Sequence, residues 1–317
     1  MRFERCPVRM SNIPGRARRS RVASETGRMR SVRLATANIG GNEMAVVVHG
    51  GGAVPVAEIP NTDGWPTSLL SLIEDGLVHD LGRRWDALSE KEQEDLAARS
   101  ISMADLAYAP LYRRPRKIWG IGLNYVEHAG DLDEVSPSDE PASFMRPDTT
   151  IVGPGDEIRL PEQSERVTAE AELAVVIGRE AKDISEEEAP FVVAGFTAVL
   201  DMTAEDILRK NPRYLTRAKS FDTFFSFGPE LVTPDEVDDV EALEVSTILN
   251  GEVHRTNTVS NMMFSPWSLV SFHSRVMRLL PGDVISTGTP GAVVIREGDV
   301  AECRVSDFKP LANPVVR

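Results

Sequence analysis

Cysteine and histidine are scarce in this chain of 317 residues, which contains two cysteines and five histidines. The cysteines, Cys6 and Cys303, lie in unlike sequence contexts. They form neither a disulfide framework nor the ligand spacing of a zinc site, so a disulfide-stabilised secreted domain and a structural zinc domain are both excluded. Because this composition suits a reducing compartment, we expect the protein in the cytoplasm.

Long apolar runs and an excess of basic charge are also missing. No uninterrupted apolar stretch approaches the roughly 18 to 20 residues of a membrane span, so we expect a soluble protein without a membrane partner. The formal net charge is -14, which argues against nucleic acid as a partner. The length allows two domains that each bury a core.

The first thirty residues differ from the rest because they are strongly basic, with nine arginines against Glu4 and Glu25. We predict a disordered basic extension over residues 1–30, because this segment has too little apolar surface to join a core. A transit peptide would share the composition, but no amphipathic apolar face is visible. The stretch that starts at Met29 resembles the start of a protein, so the alternative is that the residues before Met29 are not translated.

Residues 31–112 combine two patterns. From Ser31 to Ile59, short β-branched runs alternate with glycine-rich turns, which is typical of a small antiparallel sheet. Leu69 to Ser100 has apolar residues near helical spacing. The basic, proline-containing stretch Tyr112 to Lys117 follows, and we place the domain boundary there. The sequence therefore predicts a small N-terminal sheet-and-helix domain, followed by a second domain over residues 113–317.

Two carboxylates stand two residues apart near the start of the apolar stretch Val167 to Ile177. Side chains alternate between the two faces of a strand, so Glu170 and Glu172 point to the same side while the residues between them point into a core. Two like charges in a half-buried place repel each other and are costly to desolvate, which predicts a positive group between them. A divalent cation is the simplest candidate.

A third carboxylate, Asp201, follows the apolar run Phe191 to Leu200. The run predicts a buried strand that stops at Asp201, just before a helix whose start is marked by Thr203 and Asp206. Three carboxylates without histidine or cysteine nearby are hard oxygen ligands that suit Mg²⁺, Mn²⁺ or Ca²⁺ rather than Zn²⁺. From spacing alone, a solvated strand edge and a helix-capping aspartate are the alternative.

A histidine and an acid three residues apart follow the apolar run Ile118 to Gly122. At helical spacing His128 and Asp131 share a face, so the carboxylate can set the tautomer of the imidazole and raise its basicity. This pair predicts a general base with an orienting acid. A surface histidine beside an acid is the alternative.

Seven separated motifs follow one another between about Lys117 and Val316. They are GLNYVEHA, FMRPDTTIVGPGDEIRLP, EAELAVVIG, VLDMTAEDI, RAKSFDTFFSFGPELV, the NGE hairpin and PGDVISTGTPGAV. Because these motifs occur in the same order as in the fumarylacetoacetate hydrolase family, the chain resembles that family. The resemblance implies an α+β, mostly β fold with a mixed β-roll or sandwich as the catalytic domain. It also implies a Mg²⁺ or Mn²⁺ ion and usually a homodimer.

Carried over residue by residue, the resemblance places the metal ligands at Glu170, Glu172 and Asp201, the trio already proposed from the strand pattern. It places Lys219 at the family lysine that faces the metal and the substrate oxygens. Lys219 lies in an apolar and aromatic segment, where an ammonium is rarely buried without a partner. A lysine on a surface turn is the alternative. With His128 and Asp131, Lys219 completes the set of catalytic residues that we predict.

The turn Thr287 to Gly291 follows the strand VIS, and its amide and hydroxyl donors can bind a carboxylate. In the family the second threonine of this turn contacts the substrate. Arg146 can supply a further cation to the substrate, with a structural ion pair as the alternative. We assign four residues to substrate binding: Tyr125, Arg146, Gly288 and Thr289.

One departure from the family concerns Asp131, where relatives that act on 2-oxo acids generally carry glutamate. The shorter side chain shifts the carboxylate, and catalysis is sensitive to displacements of about 1 Å. The choice among reaction outcomes therefore stays open.

The resemblance implies a small anionic 2-oxo or 1,3-dicarbonyl acid as substrate, with the ion and Lys219 stabilising an enolate. Our first prediction is a metal-dependent hydrolase that cleaves a C–C bond in an acylpyruvate-like or fumarylacetoacetate-like substrate. The alternative is an isomerase or decarboxylase of hydroxy-diene dioates or oxaloacetate-like acids in aromatic catabolism. A non-catalytic binding or scaffold relative is the alternative of another class.

Overall fold

The computed structural model of the chain describes residues 32–125 and 139–317. The predicted basic extension lies outside the described residues, as do His128 and Asp131 of the predicted base. Among the helices of the described part, none has the length and apolar character that a membrane span requires.

Strands make up most of the regular structure, which confirms the predicted α+β, mostly β class. Within the described residues the strands are β1 (Arg33–Ile39), β2 (Asn42–His49), β3 (Gly52–Pro55), β4 (Ile101–Ser102), β5 (Ile118–Gly122), β6 (Ala142–Arg146), β7 (Ile151–Val152), β8 (Ile158–Arg159), β9 (Val167–Ile177), β10 (Val193–Ala204), β11 (Phe225–Val232), β12 (Glu244–Leu249), β13 (Glu252–Thr258), β14 (Val284–Ser286), β15 (Ala292–Ile295), β16 (Val300–Val305) and β17 (Leu311–Val316).

Helices are shorter and lie mainly around the sheets. In the described ranges the α-helices are α1 (Leu69–Glu74), α2 (Val78–Asp86), α3 (Glu90–Ala97), α4 (Glu205–Lys210), α5 (Leu215–Lys219) and α6 (Pro266–Val276). Short 3₁₀-helices lie at Val56–Glu58, Asp148–Thr150, Ala189–Val192, Pro212–Tyr214, Pro234–Glu236, Val240–Ala242 and Val259–Asn261.

Two sheets form the body of the fold in the described residues. Within that part of the chain, the larger sheet has twelve strands in the order β4-β3-β2-β1-β11-β10-β9-β14-β5-β6, with β15 beside β9 and β7 beside β11. The smaller sheet has five strands in the order β13-β12-β16-β17-β8. Strand β9 is therefore bordered on one side by β10 and on the other by two short strands, β14 and β15, with the turn Thr287–Gly291 between them.

The central strands β9, β10 and β11 of the larger sheet are buried on both faces, so the fold has three layers there. One face packs on the smaller sheet, where Leu173 and Val175 share a core cluster with Val245. The other face packs on helices α1 and α2, where Val176 shares a core cluster with Leu72 and other helical residues. Burial on both faces explains why β9 is apolar almost throughout, since an alternating polar face would lie against a core.

The N-terminal elements agree with the sequence pattern. Strands β1 to β3 form an antiparallel meander, and the helices α1 to α3 follow it. The Ser68 hydroxyl accepts a hydrogen bond from the Ser71 amide at the start of α1, as expected for an N-cap. Strand β1 also pairs with β11 of the second predicted domain, so one sheet runs through both. The boundary near residue 112 stays a prediction.

The predicted end of the strand before Asp201 is wrong. Strand β10 continues to Ala204, and helix α4 begins at Glu205, so Asp201 lies inside the strand rather than at its end. The reason is the partner strand, because β9 offers backbone hydrogen bonds down to Val167, which pairs with Ala204. A long antiparallel ladder overrides the local helix-start signals.

Candidate metal and substrate site

The antiparallel pairing of β9 with β10 brings the three predicted carboxylates together. Asp201 lies directly opposite Glu170, and Glu172 lies two residues farther along the same face of β9. One carboxylate oxygen from each residue lies within 4.8 Å of the other two. All three side chains are buried, Asp201 with only 1% of its surface exposed. The strand alternation seen in the sequence therefore produces a compact acidic group, which we call the carboxylate triad.

Neighbouring hydroxyl and amide groups orient two members of the triad. The Thr203 hydroxyl donates to Oε1 of Glu170 at 3.0 Å. The Ser286 hydroxyl and the Gly288 amide, the latter at 2.9 Å, both donate to Oε2 of Glu172. Because two donors bind the same oxygen of Glu172, they restrict the rotation of its carboxylate.

Two cationic side chains contact the triad, and both form an ion pair with Oδ1 of Asp201. The ammonium of Lys219, the last residue of α5, lies 2.9 Å from Oδ1 of Asp201 and 3.1 Å from Oε2 of Glu170. The Arg146 guanidinium forms an ion pair with Asp201 and also donates to the backbone carbonyls of Lys219 and Phe224. Both side chains are almost completely buried. The arginine therefore ties the end of α5 to the triad.

The pKa values reflect this crowding of buried charge. Burial, followed by repulsion from Asp201, raises the pKa of Glu172 to about 8. Burial also raises the pKa of Asp201, against the opposing effect of Arg146 and Lys219. Burial alone would lower the pKa of Lys219, but the attraction of Asp201 and Glu170 outweighs it and the pKa is raised. Without a further cation, the positive charges of Lys219 and Arg146 do not balance the negative charges of the triad.

The residues present fit a hard divalent cation. Oδ2 of Asp201 is buried and has no hydrogen-bond partner among the described residues, which is costly unless something positive binds it. The donor set is entirely oxygen, which suits Mg²⁺ or Mn²⁺ better than Zn²⁺. When all three carboxylates are ionised, Lys219 and Arg146 balance two of the three charges, so the site retains negative charge for an ion.

The four residues that we assigned to substrate binding differ in their contacts with the triad. Thr289 is buried in the turn between β14 and β15, and its hydroxyl donates to the Gly291 carbonyl. The Gly288 amide donates to Glu172. Arg146 forms an ion pair with Asp201, and a structural ion pair is the alternative that we gave for its role. Tyr125 is buried, and its pKa is raised by burial and by the charge of Glu172. The roles of all four in binding substrate stay predictions.

Sequence reasoning missed three groups that shape the site. The Phe144 ring lies beneath the Lys219 ammonium, with 5.1 Å between the nitrogen and the ring centre, an arrangement that favours the cation. Thr203 and Ser286 donate to the triad. Strand alternation could have identified Thr203, which lies two residues beyond Asp201, but the position of Ser286 depends on the pairing of distant strands.

The metal-free protein should lose stability through Glu172 as the pH rises. The folded pKa of about 8 lies above the ordinary value of 4.5, so the folded state binds this proton more tightly than the unfolded state does. The contribution of Glu172 to the free energy of unfolding is therefore fully present below about pH 4.5, and it is lost as the pH rises through about 8. This loss is measured by thermal unfolding of the EDTA-treated wild type and of the EDTA-treated Glu172→Gln protein between about pH 5 and pH 8. Parallel curves for the two proteins would contradict this assignment.

Comparisons with known proteins agree with the geometry. Residues 117–316 match the family model described as fumarylacetoacetate (FAA) hydrolase, C-terminal. A mitochondrial oxaloacetate tautomerase from Xenopus laevis is 37% identical over 225 residues, which cover 68% of this chain and 70% of that protein.

Two solved structures resemble this fold over most of the chain. The 5-carboxymethyl-2-hydroxymuconate delta-isomerase from Mycobacterium smegmatis has a TM-score of 0.69 and 32% identity, covering 90% of this chain and 98% of that chain. The fumarylacetoacetate hydrolase from psychrophilic Exiguobacterium antarcticum has a TM-score of 0.74 and 27% identity, covering 90% of this chain and 99% of that chain. With the family model matched over most of the chain and the acidic triad in place, this protein belongs to the fumarylacetoacetate hydrolase family.

Proposed function

We propose that this chain is a divalent-metal-dependent enzyme that moves a proton in a short 2-oxo dicarboxylic acid, as a tautomerase or isomerase. The observation that carries the proposal is the Lys219 ammonium, which is buried against two carboxylates of the triad at 2.9 and 3.1 Å. A fixed positive charge in a water-poor site favours an enolate, because charge that develops on oxygen there is poorly screened.

The triad would hold the ion, with Mg²⁺ as the first candidate, Mn²⁺ next and Ca²⁺ a further possibility. When bound, such an ion acts as a Lewis acid that polarises a carbonyl and makes the neighbouring C–H more acidic. Lys219, supported from below by the Phe144 ring, would stabilise the oxygen that gains negative charge. The Thr287–Gly291 turn, with the Thr289 hydroxyl, would orient a substrate carboxylate.

The proton itself needs a base, and His128 with Asp131 is our candidate from the sequence. The imidazole would take the proton from the carbon next to the carbonyl and return it either to the enolate oxygen or to a carbon farther along the conjugated chain. The first path is a tautomerisation and the second an isomerisation, and each conserves all atoms. A positioned base typically contributes 10²- to 10⁴-fold to the rate.

The charge balance of the site favours an anionic substrate. The triad offers three negative charges, and Lys219 and Arg146 offer two positive charges. A divalent ion would leave an excess of one positive charge, which a carboxylate of the substrate can neutralise. The substrate in the name of the tautomerase, oxaloacetate, carries two carboxylates, and the one in the name of the isomerase, 5-carboxymethyl-2-hydroxymuconate, carries three, which supports an anionic substrate here.

Hydrolysis is the second candidate, and it is favoured by the similarity to the Exiguobacterium hydrolase over 90% of this chain. The same enolate would serve as the leaving group if water attacked a distal carbonyl.

The predicted homodimer stays a prediction, and it is tested by light scattering.

A substrate panel tests the proposal. The purified protein is assayed with Mg²⁺ on the enol of oxaloacetate, on a hydroxy-diene dioate and on an acylpyruvate, each with and without EDTA. We expect EDTA-sensitive conversion of the first or second compound without loss of carbon. Cleavage of the acylpyruvate alone would favour hydrolysis, whereas no turnover and no binding of oxalate would favour the scaffold alternative.

Two controls separate enzyme chemistry from reactions promoted by the free ion. Mg²⁺ without protein gives the background rate for each compound. A His128→Ala protein that still binds Mg²⁺ shows whether the protein adds a base beyond the ion. Turnover at the wild-type rate in this variant would remove His128 from the proposal.

A further inference from the structure

Asn124 is a buried residue with every side-chain hydrogen-bonding group engaged in the described structure. Only 1% of its surface is exposed. Its amide nitrogen donates to the Phe264 carbonyl at 3.0 Å and to the Thr287 carbonyl at 2.8 Å, and its amide oxygen accepts from the Phe264 amide at 2.9 Å. Because the partners are two carbonyls and one N–H group, the orientation of the side-chain amide is unambiguous.

The Thr287 carbonyl belongs to the same peptide group as the Gly288 amide, and that amide donates to Oε2 of Glu172. One peptide group thus links the Asn124 side chain on one side with a carboxylate of the triad on the other. A hydrogen bond accepted by a peptide carbonyl polarises the group and strengthens the N–H as a donor. Asn124 therefore acts on Glu172 through a single intervening peptide.

Close packing restricts the same peptide group. Gly288 has φ +98°, and a Cβ atom at this position would lie 2.8 Å from Cβ of Asn124 and 3.2 Å from the Ile121 carbonyl oxygen. The turn therefore lies directly against the segment that carries Asn124 and Tyr125. Any shift of Asn124 would move the peptide that orients Glu172.

We propose that Asn124 is a positioning residue that holds the Glu172 carboxylate in the orientation needed to bind the metal. It does so by fixing the peptide between Thr287 and Gly288. The inference rests on the proposed metal-dependent function.

The substitution Asn124→Asp tests this inference with little change of shape. It replaces the donating nitrogen with oxygen, so the bonds to the Thr287 and Phe264 carbonyls are lost, while the acceptor for the Phe264 amide remains. We expect Mg²⁺ affinity, measured by calorimetry without substrate, to fall about 10-fold, the lower end for residues that orient metal ligands. Amide hydrogen exchange of Gly288, measured in the metal-free protein, should become faster.

Asn313→Asp is the matched control. Asn313 is also buried, donates to the Gly153 and Asp156 carbonyls at 2.7 and 2.8 Å, and accepts from the Ser226 hydroxyl. Its bonds do not involve the triad or the Thr287–Gly291 turn. A comparable loss of thermal stability is expected, with Mg²⁺ affinity and Gly288 exchange unchanged. This control separates a general cost of losing a buried amide from a specific effect on Glu172.

The outcomes distinguish this inference from the proposed function. If Asn124→Asp does not fold, Gly288→Ala, whose added Cβ would lie 2.8 Å from Cβ of Asn124, displaces the same peptide and should weaken Mg²⁺ binding similarly. Wild-type Mg²⁺ affinity together with unchanged exchange of the residue 288 amide in the variants would overturn the positioning role. If the wild-type protein itself binds no Mg²⁺, the proposed function fails, and Gly288 exchange alone decides whether Asn124 fixes the peptide.

Discussion

The Glu172→Gln protein is expected to lose Mg²⁺ binding and turnover together, while its metal-free form becomes more stable than the wild type at neutral pH. Glutamine keeps the shape of the side chain but cannot ionise, so it removes the cost of keeping the Glu172 carboxyl protonated at neutral pH, where burial and Asp201 raise its pKa to about 8. An uncompensated buried charge destabilises the folded state, whereas the same charge is required to bind a hard cation. The two effects therefore have opposite signs.

Calorimetric Mg²⁺ titration and thermal unfolding with and without Mg²⁺ measure both effects. Mg²⁺ should raise the Tm of the wild type but not that of the variant. Glu230→Gln is the matched control, because Glu230 is also buried with a raised pKa but contacts Arg33 and Tyr108 instead of the triad. Retained Mg²⁺ stabilisation in Glu172→Gln would remove Glu172 from the site.

Lys219→Met should separate catalysis from metal binding. The ammonium stabilises charge on the substrate, so its loss should lower kcat about 10²- to 10³-fold, as for the removal of one oxyanion donor. The same ammonium competes with a cation for Asp201 and Glu170. Mg²⁺ affinity should therefore stay the same or increase.

A matched control for this variant is Lys117→Met, because Lys117 pairs with the buried carboxylate of Asp283 at 2.6 Å, outside the triad. It should cost stability and leave kcat and Mg²⁺ affinity near the wild-type values. If Lys219→Met lost Mg²⁺ binding together with activity, the lysine would serve the structure of the triad rather than the reaction.

Strand alternation was enough to predict that Glu170 and Glu172 share a face, because it depends only on local backbone geometry. It could not predict where β10 ends, since the helix-start signals at Thr203 and Asp206 are local while the pairing with β9 is not. Asp201 is opposite Glu170 only because the two strands pair in that register. The sequence nevertheless predicted correctly that the three carboxylates lie together, and their role as metal ligands stays a prediction.

The supporting contacts lay beyond sequence reasoning for a similar reason. Arg146 and Ser286 reach the triad from strands far from it in sequence, and no spacing within either segment indicates those contacts. The continuity of the larger sheet also depends on distant pairing, since β1 joins β11. Patterns along the chain predict faces and turns, whereas the partners across the sheet follow from tertiary packing.

The pairing of β1 with β11 has a consequence for the synthesis of the chain. Arg33 pairs with Val232, about 200 residues later. At a ribosomal rate of about 5 to 20 residues per second, β1 waits about 10 to 40 s for this neighbour. During that time β2 can protect one edge of β1, but the other edge exposes backbone groups that can pair with a wrong strand. The N-terminal meander is therefore the part of this sheet with the longest exposure to mispairing in the cell.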